Sequence, residues 1–115
     1  MRERVLELAR YAADAAADKK ANDIVVLDIE GLSVIADYFV ICSGNSSTQV
    51  QAIANGVKEK LGKRGIHLKA MEGYDEAKWV LLDFGDVVVH IFRPDEREFY
   101  NLERVWGDAK QLSIV

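Results

Sequence analysis

Residues 79–92 read Trp79-Val80-Leu81-Leu82-Asp83-Phe84-Gly85-Asp86-Val87-Val88-Val89-His90-Ile91-Phe92. Two apolar runs flank Phe84-Gly85-Asp86, and Gly-Asp supplies the turn chemistry that lets two strands reverse as a hairpin. Neither run alternates cleanly between apolar and polar. Near-continuous Val, Leu and Ile predicts strands covered on both faces, central in a sheet with helices packed over it. Only Asp83 and His90 interrupt the apolar pattern. A buried carboxylate or imidazole is costly unless paired, so each is either a satisfied structural group or part of a surface that meets something.

The 115 residues around this hairpin suffice for one domain, residues 1–115, that buries roughly two-thirds of its unfolded surface. Half the residues are hydrophobic and 30% charged, with eight Gly and one Pro, which excludes disorder and low complexity. The single cysteine excludes an internal disulfide and a thiolate zinc site, and suits a reducing compartment. The first residues, Met1-Arg2-Glu3-Arg4-Val5-Leu6-Glu7, resemble neither a signal peptide nor a mitochondrial presequence. No apolar run approaches the roughly 20 residues that span a bilayer. The expectation is a cytoplasmic protein without membrane contact.

The net charge is −4, unevenly spread. Residues 72–103 hold nine acids (Glu72, Asp75, Glu76, Asp83, Asp86, Asp95, Glu96, Glu98, Glu103) against three bases (Lys78, Arg93, Arg97). That segment repels phosphate backbones and attracts basic protein surfaces, so direct nucleic-acid reading is not expected of it.

In chain order, residues 2–20 place Val5, Leu8, Ala9, Ala12, Ala13 and Ala16 at helical spacing, ending near Lys19-Lys20. Residues 24–29 form a short β run and residues 37–42 a second, strongly apolar strand. A helix opens after Ser43-Gly44-Asn45, where Ser46 and Gln49 fit a capping box. Its buried stripe is Val50, Ile53, Ala54, Val57 and Leu61, and Gly65 is the expected stop. Residues 66–71 read as a third strand, joined to the hairpin by the loop 72–76. Pro94 begins a last helix, with Asp95 and Glu96 in its first turn and Phe99, Leu102 and Trp106 along one side. The second strand, second helix and third strand make a right-handed parallel crossover. The fold class is α/β, a mixed five-stranded sheet flanked by helices.

Three constellations are candidates for chemistry. Gly44-Asn45-Ser46-Ser47, between a strand and a helix, is a place for an anion, yet it matches neither a P-loop nor a dinucleotide fingerprint. A similar turn opens a helix in nucleotidyltransferases, so a nucleotide-binding enzyme is the alternative reading, with Asp83 and Asp86 as candidate magnesium ligands. The two residues between them, across a turn, work against convergence on one ion. Cys42 precedes a helix N-terminus, but the Arg of a phosphatase loop is replaced by Thr48, and a buried inert thiol is the expectation. His67 and His90 are too few for a zinc site, and Asp83 with His90 reads as a structural pair across the hairpin. No catalytic residue, metal or cofactor is expected. Trp79, at the entry to its strand beside a charged loop, is a candidate partly exposed anchor, while Trp106 reads as core.

Asp37-Tyr38-Phe39-Val40-Ile41-Cys42-Ser43-Gly44 with Ser46-Ser47, then Glu72-Gly73, the hairpin from Trp79 to His90, and Arg97, Tyr100, Leu102-Glu103 and Trp106 together resemble the ribosomal silencing factor family, RsfS, also called Iojap. The resemblance runs nearly the whole chain in order. It implies an activity without catalysis: binding the large ribosomal subunit through its protein numbered fourteen and blocking association with the small subunit, so that translation is repressed. It further implies a fold related to nucleotidyltransferases without their working carboxylates, and a homodimer when free. With a basic ribosomal protein as partner, the acidic segment steers encounter and its apolar groups supply the desolvated centre. The contact residues expected on this basis are Tyr74, Trp79, Leu82, Asp83 and Tyr100, with Glu72, Arg97 and Glu103 at the rim.

Overall fold

A computed structural model describes the backbone of residues 2–112 and the side chains of residues 4–112. Helix α1 (Arg2–Asp18) precedes strands β1 (Asn22–Asp28) and β2 (Tyr38–Ser43), helix α2 (Ser47–Lys63), and strands β3 (Ala70–Glu72), β4 (Trp79–Asp83) and β5 (Val87–Phe92). The short helices α3 (Pro94–Tyr100) and α4 (Leu102–Val105) and strand β6 (Lys110–Leu112) complete it. The sheet is mixed, in the order β3-β4-β5-β2-β1-β6. It therefore has six strands rather than the expected five. The extra one, Lys110–Leu112, pairs with β1 at an edge and has a polar face.

The hairpin forms as expected, with Trp79 opposite Phe92, Leu81 opposite His90 and Asp83 opposite Val88. Gly85 has φ 95°, the left-handed first position that a type II′ turn requires. The crossover differs from expectation. β2 is parallel to β5, its neighbour, whereas β3 lies beyond β4 at the far edge and is only three residues long. Residues 66–69 are not strand, although Ile66 and Leu68 still pack on the core.

Helix α2 ends as read: the N–H of Gly65 donates to Gly62 O and that of Ile66 to Leu61 O, the paired bonds of a Schellman cap. At its start Ser46 Oγ accepts the Gln49 N–H at 3.1 Å, while Gln49 Oε1 accepts the N–H of Asn45 at 2.6 Å, one residue earlier than a strict capping box.

Both long helices pack on one face of the sheet. Ala9, Ala12, Ala13 and Ala16 of α1 and Val50, Ile53, Val57 and Leu61 of α2 are buried with Val40, Cys42, Val80, Leu82, Val89 and Ile91. Small alanine side chains let α1 approach both the sheet and α2 closely. Among the described residues the opposite face has no long helix, so the expectation of helices over both faces holds only through α3 and α4. Its buried members, Leu27, Ile29, Phe39, Ile41, Val88 and Phe92, are shielded by Trp79, Leu81, Leu102 and Trp106.

Candidate functional site

On β4 the two faces separate residue by residue: Val80 and Leu82 are buried, while Trp79, Leu81 and Asp83 are half-buried. The apolar run that predicted cover on both sides is covered on one. β5, enclosed between β4 and β2, is buried throughout. The half-buried row of β4 thus lies on a face that carries no long helix among the described residues.

Aromatic rings organise that surface. Trp79 stacks on Phe92 with centroids 5.0 Å apart and meets Tyr100 at 4.7 Å. Its indole Nε1–H donates to His90 Nδ1 at 3.1 Å. His90 in turn meets Phe39 edge-on at 4.6 Å, and Phe39 meets Trp106 at 5.6 Å. Tyr100 is 42% exposed and Phe99 79%. Rings at these separations hold one another in place, leaving Trp79 and Tyr100 as a rigid, half-wet platform.

His90 is 4% exposed, and burial lowers its pKa to about 4. The imidazole is therefore neutral at physiological pH, and accepting at Nδ1 puts its proton on Nε2. The expected Asp83–His90 pair is replaced by Trp79–His90. Asp83 Oδ1 instead accepts the Gly85 N–H at 2.7 Å and stiffens the turn.

A three-way clamp holds the edge of the platform. Arg97 donates from Nε and Nη2 to the two carboxylate oxygens of Glu103, each at 3.1 Å, and from Nη1 to Ser43 Oγ at 2.8 Å. A bidentate pair of this kind, with the guanidinium largely buried and the carboxylate at the surface, is strong, and it ties α3 and α4 to the end of β2. Between them Asn101 adopts φ 45°, ψ 58°, breaking the single helix expected from Pro94 onward. The break turns Phe99 outward, away from the stripe it was expected to share with Leu102 and Trp106.

Of the expected contact residues, Trp79, Tyr100, Asp83 and Glu72 belong together on this face, with Glu72 beside Leu81 in strand register. Arg97 and Glu103 act on each other at its rim. Leu82 is a correction: it is 0% exposed beneath the helices, because β4 residues alternate sides and 82 falls opposite 81. Tyr74 is another, since its side chain packs toward α2 and its OH accepts from Asn55 Nδ2 at 2.7 Å. Leu81 takes the place given to Leu82. Gly73, expected in the loop and part of the Glu72-Gly73 pair that carries the resemblance, has a structural role as well: a Cβ there would meet Trp79 O at 2.1 Å, with φ 78° besides. Its lack of a side chain brings the loop against the backbone of Trp79.

The Gly44–Ser47 turn is given over to the capping bonds described above. A cleft of about 430 Å³ beside it is lined by Ser43, Asn45, Arg97 and Glu103, so its guanidinium is already neutralised. Cys42 is fully buried, and burial pushes its pKa up to about 12, the opposite of an activated thiolate. Among the described residues no three His, Cys, Asp or Glu side chains cluster as a metal site. No helix among them is long and apolar enough to cross a membrane.

A family model described as ribosomal silencing factor during starvation, RsfS, matches residues 2–115. The chain belongs to that family. Its members are regulatory proteins rather than enzymes. A ribosomal silencing factor RsfS of Bacillus subtilis is 59% identical over 102 residues, covering 89% of this chain and 86% of its own. A crystal structure from Bacillus halodurans superposes with a TM-score of 0.83 at 48% identity, covering 94% of this chain and 98% of that one. A Mus musculus protein named for mitochondrial assembly of the ribosomal large subunit is 36% identical over 95 residues, 76% of this chain and 40% of that one. As a member of the family the chain is a ribosomal silencing factor, and the sequence resemblance that pointed there holds.

Proposed function

We propose that this protein silences ribosomes by docking the sheet face opposite its two long helices on a basic protein of the large subunit, the one numbered fourteen. Its bulk then keeps the small subunit from joining. The observation that carries the reading is the Trp79–Tyr100 platform: large apolar rings, held rigid yet half-exposed, with Leu81 and Glu72 beside them. Rigid aromatic anchors lose little entropy on binding and dominate interface energetics. The acids of residues 72–103 supply charge complementary to a basic partner and speed the encounter. The name of the mouse relative, which refers to the large subunit, points the same way.

Glu72, Trp79, Leu81, Asp83 and Tyr100 make the contact in this reading, while Arg97 and Glu103 hold the rim in shape. No chemical step is needed, because a 12.9 kDa body on the joining surface excludes by volume. The reading also takes the protein to be cytoplasmic and, when free, a homodimer. It takes the fold to be kin to nucleotidyltransferases.

The test is co-sedimentation with purified large subunits, alongside light scattering of subunit joining. Trp79→Ala should weaken binding by about 30-fold or more, a loss of roughly 2 kcal/mol typical of a central anchor, and should restore joining. Wild-type affinity in a folded Trp79→Ala protein would remove the platform from the interface.

A further inference from the structure

The platform occupies one end of the open face, and the other end carries an apolar feature that it does not use. Between β1 and β2 the chain turns through Gly31-Leu32-Ser33-Val34-Ile35-Ala36, where Leu32, Val34 and Ile35 are 47%, 105% and 70% exposed. Single exposed apolar residues are ordinary, but three within four positions make a patch. The turn is well tied. Leu32 and Ser33 donate to Ile29 O at 2.9 and 3.1 Å, and Ser33 Oγ accepts the Ile35 N–H at 3.0 Å. Asp37 and Tyr38 donate to Asp86 O at 2.8 and 3.1 Å, fixing the turn against the β4–β5 hairpin. The N–H groups of Leu32, Ser33 and Ile35 are satisfied within the turn, while the side chains of Leu32, Val34 and Ile35 are exposed.

Position and charge select the occupant. The roots of the turn, Ile29 and Ala36, are buried in the same cluster as Phe39, Val88 and Phe92, so the tip belongs to the sheet face that bears Trp79. Val87 and Phe92, at opposite ends of β5, are five residues apart, on the order of 16 Å. An interface of ordinary size, about 800 Å² per partner, is wide enough to cover platform and tip together. Asp28, Glu30 and Asp37 flank the tip along the chain, and Asp83 and Asp86 stand on the adjoining hairpin. Among the described residues the bases nearby include Lys69, whose Nζ lies beside Gly85, and Lys110, opposite Asp28 in register, and the flanking acids are themselves engaged within the fold. An apolar tip in a mainly acidic collar suits a basic protein surface with an apolar socket, and disfavours phosphate.

We propose that Leu32, Val34 and Ile35 are a second foothold for the same basic partner that the aromatic platform engages, entering an apolar socket rimmed by Lys or Arg. The inference rests on the docking reading above and makes that contact two-pointed.

Large-subunit affinity of the Val34→Ser/Ile35→Ser double variant tests it, measured by co-sedimentation beside wild type and Trp79→Ala, with sedimentation velocity of each protein alone. Both side chains are exposed, so the melting temperature should not change; should it fall, Val34→Ser alone serves. The expected result is about tenfold or greater weakening, with the self-association state as in wild type. Wild-type affinity in the loop variant, with binding lost in Trp79→Ala, overturns the second foothold and leaves the docking reading intact. A wild-type protein that fails to co-sediment overturns both. A loop variant that turns a dimer into a monomer yet keeps its subunit affinity assigns the tip to a second copy of this chain, and the proposal falls.

Discussion

The two faces of the sheet use similar residues for different ends. Beneath α1 and α2, Val40, Cys42, Val80, Leu82, Val89 and Ile91 are closed off by a small-residue stripe and an aliphatic one. On the other side Phe39, Phe92, His90, Trp79 and Tyr100 are joined by ring contacts and one indole–imidazole hydrogen bond, and part of the set stays wet. The first arrangement contributes stability. The second holds large groups in fixed positions without covering them, as a docking surface needs. Adjacent residues on one strand can therefore have separate roles.

Leu81 and Leu82 give the sharpest contrast. Leu82→Ala should cost about 2–5 kcal/mol of unfolding free energy, the range for a truncated core leucine, and leave the affinity of the folded fraction unchanged. Leu81→Ala should cost about 1 kcal/mol, since only part of its area is buried, yet weaken large-subunit binding by about tenfold. Chemical denaturation and co-sedimentation on both variants decide it; equal losses of stability would mean that the faces do not differ as described.

The pH response separates the faces next. Only the open one carries a buried imidazole, His90, with a folded pKa of about 4 against an ordinary 6.5. A depressed histidine pKa means that the unfolded chain binds the proton more readily. Stability is therefore full above about 6.5 and declines as pH falls toward 4. At pH 4.5 the loss attributable to His90 should be about 2–3 kcal/mol. His90→Phe should remove that part, so that the difference between wild type and variant changes with pH between 7 and 4.5. A constant difference would show that His90 titrates normally.

The hairpin, helix α2 with its stripe and both its ends, and the α/β class were legible in the sequence because each has a local cause: turn residues, periodicity, caps. Cover over β4 was not. Trp79-Val80-Leu81-Leu82 has the composition of a doubly buried strand, and a run built to meet a partner looks the same as one built to meet a helix. β6 has no such local cause: Lys110-Gln111-Leu112 carries no β signal of its own and forms by pairing with β1. The partner of His90 depended on side-chain length. In the observed register Trp79 and Asp83 are both diagonal neighbours of His90, a separation that an indole spans and a carboxylate does not. Among the candidate contacts, Leu82 and Tyr74 were misplaced for a related reason: which face a residue takes follows from register and loop path, which composition does not encode.

The smallest of these effects concerns the break at Asn101. Its left-handed conformation is one that Asn tolerates better than other non-glycine residues, and it lets α3 end where Tyr100 can lie against Trp79. Alanine prefers to continue the helix, so Asn101→Ala should cost about 1 kcal/mol and draw Tyr100 away from the indole. Asn101→Gly keeps the left-handed geometry and should behave nearly as wild type. Tryptophan fluorescence, with Trp106→Phe as background so that Trp79 alone reports, distinguishes the two. The emission should shift to the red in the alanine variant and hold in the glycine one, with large-subunit affinity following the same order. Identical spectra for both would mean that the platform keeps its shape without the helix break, and that the open face is fixed by the sheet alone.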